Sequence, residues 1–385
     1  ALQMSALYSR PGFKSLDFSV KSPLLQQLDR DRWIFGSSDV DDFTEADKEK
    51  LATELKTLYL NDYSSQWQSM LNQLHVAKFS DMTSATAIVK QMADPVYSPI
   101  VAVLRVAKEN TALTPGWPKP ALLPGTSATA AGAAEAIIGK VVKPTLVDVA
   151  FRDINQLTTQ NEQQPAAIND VLNGIKELHG YLNNMAVSPN PNQAAFAAAK
   201  ARYSTNSADA IRKLRILASN TPAPVSVWLN ELADHSWGVI LQGTKAHLDT
   251  AWNQQVYSVY ARTLGDRYPL RKVRNEATVD DFNQFLSAAG VEAAFVKANV
   301  KPFLDRNWKP AQLDGQAVAF TEASLGQLRG ADTLRTALYR AGEEPGFDFT
   351  LKPRSLDTAV GKFELQLGDQ RYTYTHGPKI GKNAT

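Results

Sequence analysis

The chain has 385 residues, of which 44% are hydrophobic and 21% charged, and its 41 Lys and Arg nearly balance 39 Asp and Glu. These values are ordinary for a globular protein with a substantial core, and the length predicts two or three domains. A net charge of +2 gives no support for nucleic acid as a partner. Because cysteine is absent, disulfides, thiolate nucleophiles and cysteine-ligated metals are excluded.

The sequence contains no apolar run long enough to cross a membrane. A spanning helix needs roughly 20 apolar residues, and the densest run here, Ile100–Ala107, is interrupted by Arg105. The N-terminus lacks the basic and apolar regions of a signal peptide. We therefore expect no membrane span, and we expect the chain to be a piece of a longer protein.

Helical patterns dominate as far as residue 341. Thr44 and Asp47 resemble a capping box, and apolar residues then recur every three or four positions, which predicts a long helix over 45–75. Further helices are predicted over 82–93, 97–112, 146–158, 165–185, 192–203, 207–219, 224–235, 240–263, 279–288, 291–307 and 325–341. Five tryptophans lie in these patterns, and we expect core packing for them, with interface anchoring as the alternative: Trp67, Trp228, Trp237, Trp252 and Trp308.

A stretch rich in Pro, Gly, Ala, Ser and Thr, 114–134, interrupts the helical patterns. Such a composition is typical of a linker or a long loop at a domain boundary. The predicted division is therefore a helical domain over 1–113, a linker or loop over 114–145, a second helical domain over 146–268, and a helix-plus-β domain over 269–385. Near the last boundary, the sequence GDRYPL (265–270) predicts a corner, because Gly265 can end a helix and Pro269 disfavours helical geometry at Tyr268.

The pattern becomes alternating near the C-terminus. Phe347, Phe349 and Leu351 alternate with polar residues, and a second alternating pair of runs surrounds Gly368-Asp369. A two-residue Gly-Asp loop favours a type II′ hairpin, which would pair Leu367 with Gln370, Leu365 with Tyr372 and Phe363 with Tyr374. This register places the apolar residues on one face, which we expect to be covered by the rest of the chain. The predicted fold class is mainly α (helical bundles) with a smaller C-terminal β-rich part, α+β overall.

No catalytic, cofactor or metal site is predicted. The five histidines lack the HxH or HExxH spacing of metal sites, and Gly132–Lys140 and Asp39–Asp42 lack residues that a phosphate loop and a calcium loop require. Asp234, His235 and Ser236 are the residue types of a catalytic triad, but neighbours on a helix point about 100° apart and cannot form a relay. We therefore predict that the chain is not an enzyme.

Several patches of the sequence form a distinctive series. In chain order, they are RDRWIFG (30–36), LYLNDYSSQWQSML (58–71), VDVAFRDIN (147–155), VYARTLGDRYPL (259–270), VDDFNQFLSAAGVEAAFVKANVKPFLD (279–305), FTLKPRSLD (349–357) and GDQRYTYTHGP (368–378). The most specific combination is the RYP step, the following helix and a terminal Y-x-HGP. Together these patches resemble the periplasmic C-terminal region of the TssM (IcmF-like) family of type VI secretion proteins.

The resemblance implies a structural role as a scaffold and channel wall. It implies a periplasmic location as part of an inner-membrane-anchored protein, a TssJ-like outer-membrane lipoprotein and a TssL-like inner-membrane protein as partners, and self-association in the full complex. It also implies a largely helical region that ends in a β-sandwich, which we expect to be truncated here. The apolar hairpin residues Phe363, Leu365, Tyr372 and Tyr374 are the candidate partner-binding residues.

Two functions from other classes stay open at the level of sequence. A helical hydrolase of envelope polymers would show a deep cleft with two carboxyl groups about 5–9.5 Å apart. A helical adaptor would bind peptides in an exposed apolar groove along the 45–75 helix.

Overall fold

The computed structural model describes residues 3–23, 25–27, 44–115, 143–160, 166–204, 209–339, 345–346 and 349–384. Several features singled out in the sequence lie outside these residues. They are the patch 30–36, the loops 39–42 and 132–140, most of the predicted linker, and Phe347.

The predicted helices of the first two-thirds of the chain are present, with ends shifted by a few residues. Two differences are that the predicted helix 146–158 is divided at Phe151 and that 224–263 is not broken where expected. The helices are α1 (Arg10–Ser15), α2 (Glu45–Asn72), α3 (Met82–Met92), α4 (Pro99–Thr111), α5 (Leu146–Ala150), α6 (Arg152–Leu157), α7 (Ile168–Ala186), α8 (Pro191–Ser204), α9 (Ala210–Ser219) and α10 (Val225–Trp252).

In the remainder, helices alternate with irregular segments up to residue 338, and β-strands follow. A π-helical stretch, Asn253–Tyr257, leads from α10 into α11 (Ser258–Thr263). After it come α12 (Val279–Leu286), α13 (Val291–Phe295), a second π-helical stretch (Val296–Val300), a 3₁₀ turn (Lys301–Phe303), α14 (Glu322–Leu338), β1 (Phe349–Leu351), β2 (Phe363–Leu367), β3 (Gln370–Tyr374) and β4 (Lys382–Ala384). The fold is therefore mainly α with a small antiparallel β part, as predicted.

The contacts group the chain into two compact units. One comprises residues 1–191 with 207–239, and the other comprises residues 192–206 with 240–385. The division into four segments predicted from the sequence stays a prediction.

In the first unit, α2 begins at the predicted capping box. The Thr44 hydroxyl accepts from the Asp47 N–H at 3.3 Å, and the Asp47 carboxylate accepts from the Thr44 N–H at 3.1 Å. One stripe of the helix is buried, and it includes Tyr63 and Trp67. The Trp67 indole N–H donates to the Tyr8 carbonyl at 2.7 Å. The N-terminal segment is thereby fixed on α2, and the core position predicted for Trp67 is confirmed.

A buried carboxylate joins two segments of the first unit that are distant in sequence. Asp148 is fully buried and caps α5 through Thr145, whose N–H and hydroxyl donate to Asp148 Oδ2 at 2.8 and 2.7 Å. Its Oδ1 accepts from the Leu113 and Thr114 N–H groups at 2.8 and 3.1 Å, and Oδ2 also accepts from the Thr114 hydroxyl at 2.6 Å. The residues on either side of segment 116–142 are therefore held together by one side chain.

Helix α10 is continuous where the sequence predicted a break between 235 and 240. Ser236 and Gly238 are poor helix formers, so the local pattern favoured two helices. In the structure, Ser236, Trp237 and Ile240 are fully buried. Burial of this stretch outweighs the modest propensity cost, which is at most about 1 kcal/mol for a glycine.

The helix predicted over 291–307 ends early, at Phe303. Pro302 lies in the terminal 3₁₀ turn, and the Asp305 carboxylate then accepts from the Asn307 and Lys309 N–H groups, both at 2.8 Å, which turns the chain away from the helix axis. Trp308 follows with a φ of 58°, so the prediction that it lies in a helix is wrong. Its ring is half-buried, and the Lys301 ammonium lies 3.3 Å from the ring centroid.

The GDRYPL stretch forms the predicted corner. Arg267 pairs with Asp281 on α12 at 2.9 Å, and Asp266 pairs with Arg271 at 3.1 Å. The Tyr268 N–H donates to the Asn275 carbonyl at 2.7 Å. Its charged side chains therefore fasten a turn after α11, as expected from the sequence.

The C-terminal hairpin has the predicted register. Phe363 pairs with Tyr374, Leu365 with Tyr372, and Leu367 with Gln370. Gly368 has a φ of 57°, as the first central residue of a type II′ turn requires. Strand β1 pairs antiparallel with β4, a strand that the sequence pattern did not predict.

Candidate functional site

A groove of about 460 Å³ lies in the β part of the second unit. All four predicted partner-binding residues, Phe363, Leu365, Tyr372 and Tyr374, line it. The remaining lining comes from the segment after β1 and from the chain between β3 and β4: Leu351, Lys352, Pro353, Arg354, Ser355, Leu356, Thr373, Thr375, Gly377, Pro378, Ile380 and Lys382. Both two-stranded sheets therefore contribute to one concave surface.

The apolar face of the hairpin is only partly covered, which corrects the expectation that the chain would bury it. Phe363 is 52% exposed and Leu367 is 36% exposed, whereas Leu365, Tyr372 and Tyr374 are half-buried. Ile380, across the groove, is 67% exposed. The physical reason is that each sheet has only two strands in the part of the chain that the structure describes, and two strands cannot enclose a core.

Local hydrogen bonds fix the groove wall. The Tyr374 hydroxyl donates to the Gly377 carbonyl at 3.1 Å, and His376 Nε2 lies 2.9 Å from the Val360 carbonyl. The Gly377–Pro378 turn is therefore fastened to β3. A Cβ atom at Gly381 would lie 2.7 Å from Thr350 Cγ2, so a larger residue there would require the Thr350 side chain to shift.

The charges of the groove have one sign. Lys352, Arg354 and Lys382 line it, all three side chains are exposed, and none of the described lining residues is acidic. Within the described ranges, no carboxylate lies within ion-pair distance of any of the three. Glu364 lies on the opposite face of the hairpin, 2.5 Å from Lys362. These cations were not among the residues predicted from the sequence, although Lys352-Pro-Arg354 directly after a strand was a visible signal.

A second cleft, of about 630 Å³, lies among the helices of the second unit. Aromatic side chains of α10, α11, α12 and α13 line it, and Trp252 meets Phe295 edge-on with ring centroids 5.5 Å apart. Its two acidic lining residues each contact a cation. Asp249 pairs with Lys245 at 2.5 Å, and the buried Glu292 pairs with Arg335.

Arg335 connects Glu292 to its surroundings. Its Nε donates to the Leu286 carbonyl at 2.9 Å, and Nη1 pairs with Asp332 at 3.0 Å. Burial raises the pKa of Glu292, and the charge of Arg335 opposes that effect. These contacts connect α12, α13 and α14, so Arg335 and Glu292 have a structural role.

Histidines and triad-type residues are dispersed. His75 contacts Glu231 at 2.6 Å, and His247 packs on Phe196. In the stretch 234–236, Asp234 pairs with Arg215, the His235 ring meets Phe79 edge-on, and Ser236 is buried. The three side chains have different neighbours, so they form no relay. Among the described residues, no group of three His, Asp or Glu side chains could hold a metal ion.

Two family models match the sequence. Residues 1–112 match the model described as IcmF-related, intracellular multiplication and human macrophage-killing. Residues 243–344 match the type VI secretion protein IcmF helical domain. Together the matches cover more than half of the chain. The first contains α2 and its capping box, and the second contains the cleft clamped by Glu292 and Arg335.

One curated relative aligns with almost the whole chain. It is the type VI secretion system component TssM1 of Pseudomonas aeruginosa, which is 24% identical over 408 aligned positions covering 97% of this chain. The chain spans about a third of the length of this relative, 35%.

Two solved structures share the fold. A type VI secretion system membrane core complex matches with a TM-score of 0.69 and 18% identity, over 98% of this chain and 71% of that one. A type VI membrane complex matches with a TM-score of 0.64 and 17% identity, over 87% and 63% respectively. At these identities the likeness concerns the fold. No described helix is both long and apolar enough to span a membrane.

Proposed function

Since the chain belongs to the TssM/IcmF family, we propose that it is a structural component of a type VI secretion membrane complex. The observation that carries this proposal is the similarity over 97% of the chain to a type VI secretion component, together with a fold shared with chains of such complexes. In this role, the chain would connect partner proteins through direct protein–protein contacts. Its location would be periplasmic, as part of an inner-membrane-anchored protein.

The groove in the β part is the contact surface for an outer-membrane lipoprotein of the TssJ type. Phe363 and Ile380 expose large apolar surfaces within one concavity, and an exposed apolar patch of this kind commonly marks a protein interaction site. Phe363, Leu365, Tyr372 and Tyr374 would supply the apolar contacts. Contacts with a TssL-like inner-membrane protein and self-association belong to the same proposal, without residues assigned to them.

The proposed role is not catalytic. A glycoside hydrolase needs one carboxylic acid to donate a proton and a second carboxylate free to act as base or nucleophile. In the helical cleft, Asp249 is bound to Lys245, and Glu292 is bound to Arg335, which is itself fixed by Leu286 and Asp332. The contacts of these carboxylates favour a role in stability. The hydrolase and the peptide-binding adaptor remain the alternatives to be tested.

The experiment that tests the proposal is co-purification with the outer-membrane lipoproteins of a cell that carries the secretion system. The 385-residue chain with an affinity tag should retain one lipoprotein of that system. Phe363→Ser should lose it, while Leu58→Ser, which changes an apolar side chain that is 66% exposed on α2, should retain it. Failure of the unaltered chain to retain any lipoprotein would contradict the proposed partner.

The same preparation tests the alternative that the chain is a hydrolase. Incubation with cell-wall peptidoglycan should release no soluble fragments. Release that disappears in Glu292→Gln, a variant that keeps the shape of the side chain, would support the hydrolase instead.

A further inference from the structure

We propose that the groove in the β part selects a short, extended partner segment that carries acidic residues among apolar ones. This inference rests on the proposed function, in which the groove is a protein contact surface, and it adds the chemistry of the occupant. Its basis is the combination of an exposed apolar floor with three cations that have no acidic partner in the described chain.

The size of the groove indicates a short segment. A cavity of about 460 Å³ falls in the range of roughly 300–1,000 Å³ that encloses small ligands. A stable interface between two whole proteins needs roughly 800 Å² on each partner. The groove therefore accommodates a loop or strand end, and further contacts would have to lie outside it.

The floor of the groove selects apolar side chains. Leu365 and Tyr372 face each other across the hairpin, and Phe363 and Tyr374 form the next pair. Because cross-strand neighbours lie about 5 Å apart on one face, these four side chains form a continuous apolar strip. A partner segment with alternating apolar residues would place each second side chain on this strip.

The charges select the remaining side chains of the segment. Lys352 and Arg354 lie two residues apart directly after β1, and Lys382 begins β4. A carboxylate in the groove would meet these cations without competition from the groove itself, because none of the described lining residues is acidic and Glu364 in β2 pairs with Lys362. A basic segment would meet three like charges, which disfavours it.

The first test measures the binding of labelled synthetic peptides to the 385-residue chain by fluorescence anisotropy. One peptide alternates Glu with Val, a second has Gln at each Glu position, and a third has Lys there. We expect the Glu peptide to bind about tenfold more tightly than the Gln peptide, as three exposed charge contacts allow. The Lys peptide should bind more weakly than both, and added salt should reduce the preference for Glu.

The second test determines whether the three groove cations cause the preference for the Glu peptide. A triple variant, Lys352→Gln, Arg354→Gln and Lys382→Gln, should bind the Glu and Gln peptides with similar affinity. A matched triple variant outside the groove should keep the preference, and the exposed cations chosen for it are Lys272, Arg274 and Lys297. Circular dichroism and thermal melting establish that both variants fold like the parent.

The outcomes separate this inference from the proposed function. If no peptide binds, if Glu and Gln peptides bind equally, or if the preference survives in the groove variant, the inference is wrong. If these results accompany retention of a lipoprotein that Phe363→Ser abolishes, the groove is still a partner surface. If no lipoprotein is retained but the Glu peptide binds as expected, the partner assigned in the proposed function is wrong while the acidic preference stands.

Discussion

The helical core around α2 and the β part at residues 349–384 differ in how deeply their aromatic side chains are buried. Tyr63 and Trp67 are almost fully buried, and their polar atoms donate to the Asn110 and Tyr8 carbonyls. Phe363 on β2 is 52% exposed. Aromatic side chains thus contribute to a buried core in one region and leave apolar surface exposed in the other. Substitutions should separate the two regions by their effects on folding and on binding.

The largest effect on stability is expected for Trp67→Ala in α2. Removing a buried tryptophan leaves a cavity and an unpaired Tyr8 carbonyl, so the free energy of unfolding should fall by about 3–5 kcal/mol. Urea denaturation followed by fluorescence measures it. Leu58→Ala on the exposed side of the same helix is the control, and its effect should stay within about 0.5 kcal/mol. Unchanged melting of Trp67→Ala would contradict the core assignment.

Asp148→Asn should have the next largest effect. The carboxylate accepts five hydrogen bonds, and an amide at this position would direct an N–H group at backbone donors. We expect a loss of about 3 kcal/mol in the free energy of unfolding. Asp153→Asn, in the exposed pair with Arg152, should change stability by less than about 1 kcal/mol. Equal losses of unfolding free energy in the two variants would show that the buried hydrogen bonds of Asp148 contribute no more to stability than an exposed ion pair does.

A smaller, pH-dependent effect is expected at Tyr59 in α2. Burial, with a contribution from Tyr8, raises the pKa of Tyr59 to about 12. Because this pKa lies above that of the unfolded chain, the stabilisation is present below about pH 10 and is lost as the pH rises towards the folded-state pKa. Tyr59→Phe should lose the hydrogen bond to the Leu7 carbonyl, which contributes about 1 kcal/mol.

Absorbance titration of the tyrosines checks the assignment of that pKa. The unaltered protein should show one more phenol ionising near pH 12 than Tyr59→Phe does. A difference between the two proteins that instead appears near the ordinary tyrosine pKa would contradict the raised pKa of Tyr59.

The smallest effect on stability is expected for Phe363→Ser in the β part. More than half of this side chain is already in water, so the free energy of unfolding should change by no more than about 0.5 kcal/mol. Guanidinium denaturation measures it. A loss as large as that of Trp67→Ala would mean that Phe363 belongs to a core and that the two regions do not differ.

Features of these regions could be predicted where the sequence signal spans only a few neighbouring residues. The hairpin register was predictable because alternation and the Gly368-Asp369 loop both act over a few residues. The start of α2 was predictable because Thr44 and Asp47 cap their own helix. The continuity of α10 through Ser236 was not predictable, since it depends on burial by distant segments.

The candidate site, too, could be predicted from the sequence only where the signal is local. Alternation identified Phe363, Leu365, Tyr372 and Tyr374 as one face, and the structure brings them into one groove. Strand β4 is short and polar, so its pairing with β1 left no pattern to detect. Lys352 and Arg354 are close in sequence, but Lys382 joins them only through that pairing, so the cluster of three cations is visible only in the fold.

The most direct test of the proposed partner surface is a calorimetric titration of the 385-residue chain with the purified outer-membrane lipoprotein of its secretion system. We expect saturable binding at micromolar concentrations, which Phe363→Ser should abolish without lowering thermal stability. Absence of binding by the unaltered chain, or undiminished binding by Phe363→Ser, would contradict the claim that the exposed apolar groove is a partner surface.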